Sequence, residues 1–172
     1  MDKEYATTKE TEGYRRLMDF NQFLHLIELG QTQTGAHTDA SGYTTDGRPV
    51  AIENKVRNQT YIGDGYISGM TRETQIPYSA NTIYIESHKV ADMLMDWICE
   101  GKTPLYVNYL NDDTVVVFNL SDLRHRPQKQ HKRIWSRLYN AFEIADRELL
   151  SIADAFIYRK DGNNDYKLIQ RP

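Results

Sequence analysis

The stretch Pro49-Val50-Ala51-Ile52-Glu53-Asn54-Lys55-Val56-Arg57, reached through Thr45-Asp46-Gly47-Arg48, constrains this chain most. Asp-Gly between two β-prone runs is a strong hairpin signal, because both residues tolerate the positive φ of a tight turn. Residues 36–44 and 49–57 therefore read as paired strands. Strand side chains alternate between faces, so Ala51, Glu53, Lys55 and Arg57 share one face while Val50, Ile52 and Val56 take the other. Opposite charges two residues apart on a core strand are costly unless they meet water, a metal or each other.

Around this hairpin the periodicities define a series of elements. Apolar residues at helical spacing predict a helix from Tyr14 to Leu29, stopped by Gly30 as a C′ residue and preceded by a polar lead over residues 1–12. Residues 58–80 show little periodicity and read as a long loop. A strand at 82–85 feeds a helix over Ser87–Glu100, with Val90, Leu94, Trp97 and Ile98 on one side and Gly101 closing it. Strands follow at 105–110 and 115–120. The segment 130–153 favours a helix, with a strand left open, and the chain ends in a hairpin of 155–159 with 166–169. The order is that of a mixed α/β layer architecture.

Composition narrows the class. At 172 residues, 40% hydrophobic and 26% charged, the chain reads as one soluble domain without internal repeats or an interdomain linker. No run approaches the roughly 18 apolar residues of a membrane span. The polar opening lacks the h-region of a signal peptide, and Cys99 is the only cysteine, so a cytoplasmic, reducing location is expected. That single cysteine also excludes an internal disulfide and a four-thiolate zinc site. Walker A, GxSxG, dinucleotide-binding and His-Glu-x-x-His patterns are absent.

Two carboxylates and a lysine in this arrangement suit metal-assisted hydrolysis of a phosphodiester. Asp39 and Glu53 would hold Mg²⁺ or Mn²⁺, which prefer oxygen ligands. Lys55 would position a water or stabilise charge on the phosphate. The set His37-Thr38-Asp39 … Glu53-Asn54-Lys55 resembles the PD-(D/E)xK nuclease superfamily, which carries an acid on one strand and an (Asp/Glu)-x-Lys on the next. The resemblance covers about residues 12–120, leaving 121–172 as a C-terminal extension. It implies a restriction-endonuclease-like α/β core of helix, β-meander, helix and further strand. One departure is Thr38, which stands where the family name has proline. The tripeptide recurs at Glu100-Gly101-Lys102 and Asp165-Tyr166-Lys167, but neither copy has the right elements around it.

Geometry sets a condition on this site. With a two-residue Asp46-Gly47 turn, Asp39 would fall opposite Asn54, on the wrong face. A three-residue loop, or a bulge at Gly42, brings it across from Glu53, so an irregularity is predicted within 41–48. The resemblance also implies a glutamate from the first helix, for which Glu28 and Glu12 are candidates. Glu28 is as readily a solvated last-turn residue. Lys89 and Arg57 are candidate substrate contacts, though a surface lysine is the simpler reading of Lys89. His37 is a possible ligand and His88 a possible neighbour of the site.

The implied function is Mg²⁺-dependent (or Mn²⁺-dependent) cleavage of nucleic acid, DNA before RNA, of a restriction, repair or phage and mobile-element type. A homodimer is a possible partner state, because two strands need two sites. The alternative is a catalytically inactive module that binds or assembles through the same fold. An unrelated α/β protein, with Glu53 and Lys55 as a surface ion pair, is a third reading. The net charge of −3 counts mildly against a nonspecific DNA binder. A local basic run (Arg124-His125-Arg126, Lys132-Arg133 and Arg137) reads more simply as a solvated surface. Tyr61, Tyr66 and Tyr78 are expected to cover the sheet rather than stack on bases.

Overall fold

The computed structural model describes residues 2–33, 36–71, 74–136, 141–163 and 165–172. Its centre is a mixed sheet whose interior strand carries the Glu-x-Lys tripeptide. Helix α1 (Asp2–Leu24) leads into β1 (Ile27–Gln31), β2 (Ala40–Tyr43) and β3 (Pro49–Val56), an antiparallel meander. After an excursion come β7 (Thr82–Glu86), α2 (Ser87–Glu100) and β8 (Thr103–Tyr109), which pairs parallel to β3. Helix, meander, helix and parallel strand is the core order that the resemblance implies. Beyond β8 the sheet continues through β9 (Thr114–Asn119), β12 (Phe156–Lys160) and β13 (Tyr166–Gln170).

Both faces of this sheet are covered. On one, α1 sends Leu17 and Phe20 onto Ile52, Val107, Tyr109 and Val115. The Phe20 ring meets Tyr158 and Tyr166 edge-on at 5.2 and 4.9 Å, and Lys160 Nζ bonds Asp19 at 2.8 Å. The last two strands therefore complete the α1 side of the core. On the other face Val90 and Met93 of α2 pack with Ile83, Ile85, Tyr106 and Phe118. An interior strand of such a sheet has little water on either side, which explains why Val50 and Ile52 are buried.

Several local expectations are corrected. Helix α1 takes in residues 2–12 and stops at Leu24, not Leu29. The Asn21 side-chain amide bonds both the N–H and the C=O of Leu26, and His25 turns with φ 54°. Gly30 consequently lies in β1 and caps nothing. The long loop over 58–80 is a three-stranded antiparallel sheet of β4 (Gln59–Gly63), β5 (Tyr66–Met70) and β6 (Pro77–Ala80). Its first turn contains Asp64 and Gly65, both at positive φ, a hairpin signal of the same kind as Asp46-Gly47.

The helix favoured for 130–153 is instead β10 (Gln128–Ser136) and β11 (Ala141–Ser151), an antiparallel pair completed by β7. The ladder that β11 forms with both β10 and β7, with the Arg133 guanidinium 4.2 Å from the Phe142 ring centroid across it, outweighs the helical spacing. Of the apolar side read as Val90, Leu94, Trp97 and Ile98, Val90 is buried while Trp97 and Ile98 are exposed, and Met93 joins Val90 in the core. Gly101 closes α2 in the left-handed region as expected.

Candidate active site

The turn after β2 decides what meets Glu53. Thr44 and Arg48 close a three-residue loop of Thr45, Asp46 and Gly47, with Gly47 at φ 82°. Tyr43 therefore pairs with Pro49 and Ala40 with Ile52, the register shift that the geometry demanded. A second irregularity lies just outside the predicted 41–48 window. Asp39 N donates to Ile52 O although Ala40 already holds Ile52 in the ladder, so two residues oppose one, as in a β-bulge. The Asp39 carboxylate accepts the Asn54 N–H through Oδ2 at 2.7 Å.

Glu53 is only 5% exposed. Burial, and then the negative charge of Asp39, push its pKa up to about 7, against the pull of Lys89 and Lys55. Lys89, in the first turn of α2, reaches down to Glu53 Oε2 at 3.1 Å and to the carbonyl of His37 at 2.9 Å. Glu53 is thus no surface ion pair, and its close cation is Lys89 instead of Lys55. Lys55 turns to Glu86 Oε1 at 3.8 Å. Burial works against the Glu86 charge, but Lys55, its own backbone, Arg57 and Arg147 hold its pKa below the usual range.

The remaining candidates fall in other places. Glu28 is an exposed residue of β1 at φ 51°, within a register irregularity alongside β2, and is not on the helix. Glu12 lies on α1, over the opposite side of the sheet, paired with Arg16 one turn on at 3.0 Å and adjacent to Gly13, which sits close above Asn54 and Val56. His37 Nδ1 lies 3.3 Å from Asp92, and His88 is exposed.

Arg57 was expected to meet substrate, but it is buried. Its Nε bonds Asn108 Oδ1 at 2.6 Å, its Nη2 bonds the Tyr84 carbonyl and the Tyr106 hydroxyl, and it lies 4.5 Å from the Tyr84 ring centroid. It ties the sheets together through these bonds. In the basic run, Arg124, His125 and Arg126 are exposed, as are Lys132 and Arg133 on β10; Arg137 lies outside the described residues.

Glu86 escaped the sequence reading, although its signal was present. Ile83 and Ile85 are core residues, so alternation along β7 puts Tyr84 and Glu86 together on the other side. Among the described residues no three His, Cys, Asp or Glu side chains converge as a ready metal cage. The donor set at Glu53 is a carboxylate pair with two lysines beside it.

No protein-family model and no curated protein matches this sequence. Among solved structures, its fold is similar to that of Hjc from Archaeoglobus fulgidus, a Holliday junction resolvase. The likeness has a TM-score of 0.48 at 11% identity and covers 81% of this chain and 84% of that one. Among the described residues no helix is long and apolar enough to cross a membrane.

Proposed function

We propose that this protein is a divalent-metal-dependent phosphodiesterase acting on nucleic acid, DNA in preference to RNA. The observation that supports the reading is the register that sets Ala40 opposite Ile52 and so brings Asp39 near enough to Glu53 for its charge to oppose ionisation there, with Lys55 on the same face of β3. The donor chemistry fits a hard cation. Two carboxylates, one buried and reluctant to ionise beside the other, are stabilised by a doubly charged ion. A pair without a full protein cage suits Mg²⁺ or Mn²⁺, which keep waters and use substrate phosphates as further ligands.

Asp39 and Glu53 would hold the ion, and the Asn54 N–H fixes the Asp39 carboxylate by occupying its Oδ2. The ion would supply Lewis-acid polarisation of the phosphate and acidify a water. Lys55 is 40% exposed, so its ammonium can reach a substrate phosphate and stabilise the charge that develops there. Lys89 neutralises Glu53 before an ion arrives.

The test is cleavage of plasmid and single-stranded DNA in Mg²⁺ or Mn²⁺. The protein is expected to nick or degrade DNA, and Lys55→Ala to lose about a hundredfold or more of the rate. Both cations should raise the melting temperature, and Asp39→Ala should abolish that rise. The Lys89–Glu53 contact favours a second reading, a nuclease-like module that binds or assembles without cutting. That reading prevails if neither cation supports cleavage and neither raises the melting temperature.

A further inference from the structure

A groove of about 1030 Å³ opens beside Lys55 and runs between the end of β3 and the small sheet of β4, β5 and β6. It lies at the upper end of the roughly 300–1,000 Å³ of ordinary small-ligand pockets, so there is room for a nucleotide. Its lining is unusual for a site that grips duplex phosphates. Only Lys55 and Arg57 are charged, and two of the Arg57 nitrogens are engaged within the protein. The rest is neutral: amides from Asn58, Gln59 and Asn111, with the surfaces of Met70 and Tyr78.

Tyr78 is held in place. It pairs with Gly69 across β5 and β6, and a Cβ at Gly69 would fall 2.9 Å from its hydroxyl and 3.1 Å from a ring carbon. The glycine therefore lets the ring lie flat on β5. Gln59 Nε2 then donates to the hydroxyl at 2.6 Å. The tyrosine is 36% exposed, and Met70 at the rim is 56% exposed. A fixed aromatic face with amide groups around it matches the π-face and polar edges of an unstacked base. Duplex binding instead needs cations along two phosphate rows, and this groove offers only Lys55 and Arg57.

We propose that this groove holds an unpaired segment of a nucleic-acid strand next to the phosphate that is cut, with a base stacked on Tyr78. The assignment rests on the phosphodiesterase reading and gives it a substrate class: single strands, or the unpaired parts of branched and frayed duplexes.

The experiment is fluorescence anisotropy in EDTA, using a labelled oligothymidylate and a labelled duplex of the same length. The single strand should bind more tightly than the duplex. Tyr78→Ala should weaken strand binding about tenfold, whereas Tyr78→Phe, which keeps the ring, should stay within about twofold. Met70→Glu, at an exposed position that leaves the core intact, should also weaken it. Duplex binding as tight as strand binding overturns the assignment, as does strand binding that ignores both Tyr78→Ala and Met70→Glu. DNA cleavage together with either result leaves the phosphodiesterase reading standing. Strand binding through Tyr78 without cleavage in Mg²⁺ or Mn²⁺ upholds the groove and removes that reading.

Discussion

Glu53 sits where burial and a neighbouring carboxylate oppose its ionisation, so its proton links pH to both stability and ion binding. The folded state holds this proton more tightly than the unfolded chain does. Below the usual carboxylate range both states are protonated and nothing is lost. As pH rises from about 4.5 to about 7, the unfolded chain releases this proton while the folded protein still holds it. The folded protein gives up stability on the order of 3 kcal/mol in this way, and the loss is complete above about 7. The melting temperature of metal-free protein is therefore expected to fall between about pH 4.5 and 7 and to level off above, and Glu53→Gln to flatten the fall; matching profiles would contradict the assignment. The carboxylate is also the ligating form, so the metal-induced rise in melting temperature should grow over the same window. Lys89 competes with any cation for Glu53. Lys89→Met is expected to enlarge that metal-induced rise and to move its pH midpoint upward; a smaller rise would assign Lys89 a supporting role in ion binding.

At the scale of elements, one loop governs whether the site forms. Thr45, Asp46 and Gly47 shift β2 by one place against β3, and side-chain alternation turns one place into a change of face. Gly47 is at φ 82°, and a Cβ there would meet nothing within 4 Å. The cost of Gly47→Ala is therefore purely conformational, about 1 kcal/mol, or a fall in melting temperature of about 2–4 °C. The metal-induced rise should survive wherever the loop still closes. The turn at His25 has the same importance for the first helix. By ending α1 early it makes Ile27–Gln31 an edge strand beside β2 and removes Glu28 from any helix face.

Across the whole molecule, Arg57 joins the layers that flank the site. From the end of β3 it bonds Asn108 and Tyr106 of β8 and the Tyr84 carbonyl of β7, so the main sheet and the β10–β11–β7 sheet share one guanidinium. Arg57→Ala leaves buried acceptors without their donor and is expected to cost about 3–5 kcal/mol, read by denaturant unfolding. Arg57→Lys should recover little, because an ammonium lacks the fork. A loss below about 1 kcal/mol would show that the sheets are held by apolar packing alone. The same joint forms one wall of the groove that leads to Lys55, so this variant should weaken strand binding as well. A homodimer is expected only for duplex cleavage, and sedimentation with and without DNA reads it directly.

Elements whose signals are local are legible from the residues alone. Alternation places Glu53 and Lys55 on one face of a strand, Asp46-Gly47 marks the hairpin, and Gly101 closes α2. The same alternation sets the condition on Asp39, because a two-residue turn and a three-residue loop put opposite faces of β2 towards Glu53. Tertiary structure decided everything that depends on partners distant in the chain. Residues 130–153 carry helical spacing, yet β11 finds β7 across more than fifty residues and β10 and β11 form as strands. Arg57 and Lys89 read alike as cations near a phosphate site, but one is drawn inward by Tyr106 and Asn108 while the other covers Glu53. A charged side chain takes the role its buried neighbours leave it, since burial multiplies the cost of an unpaired charge and only the assembled fold sets which partners come near.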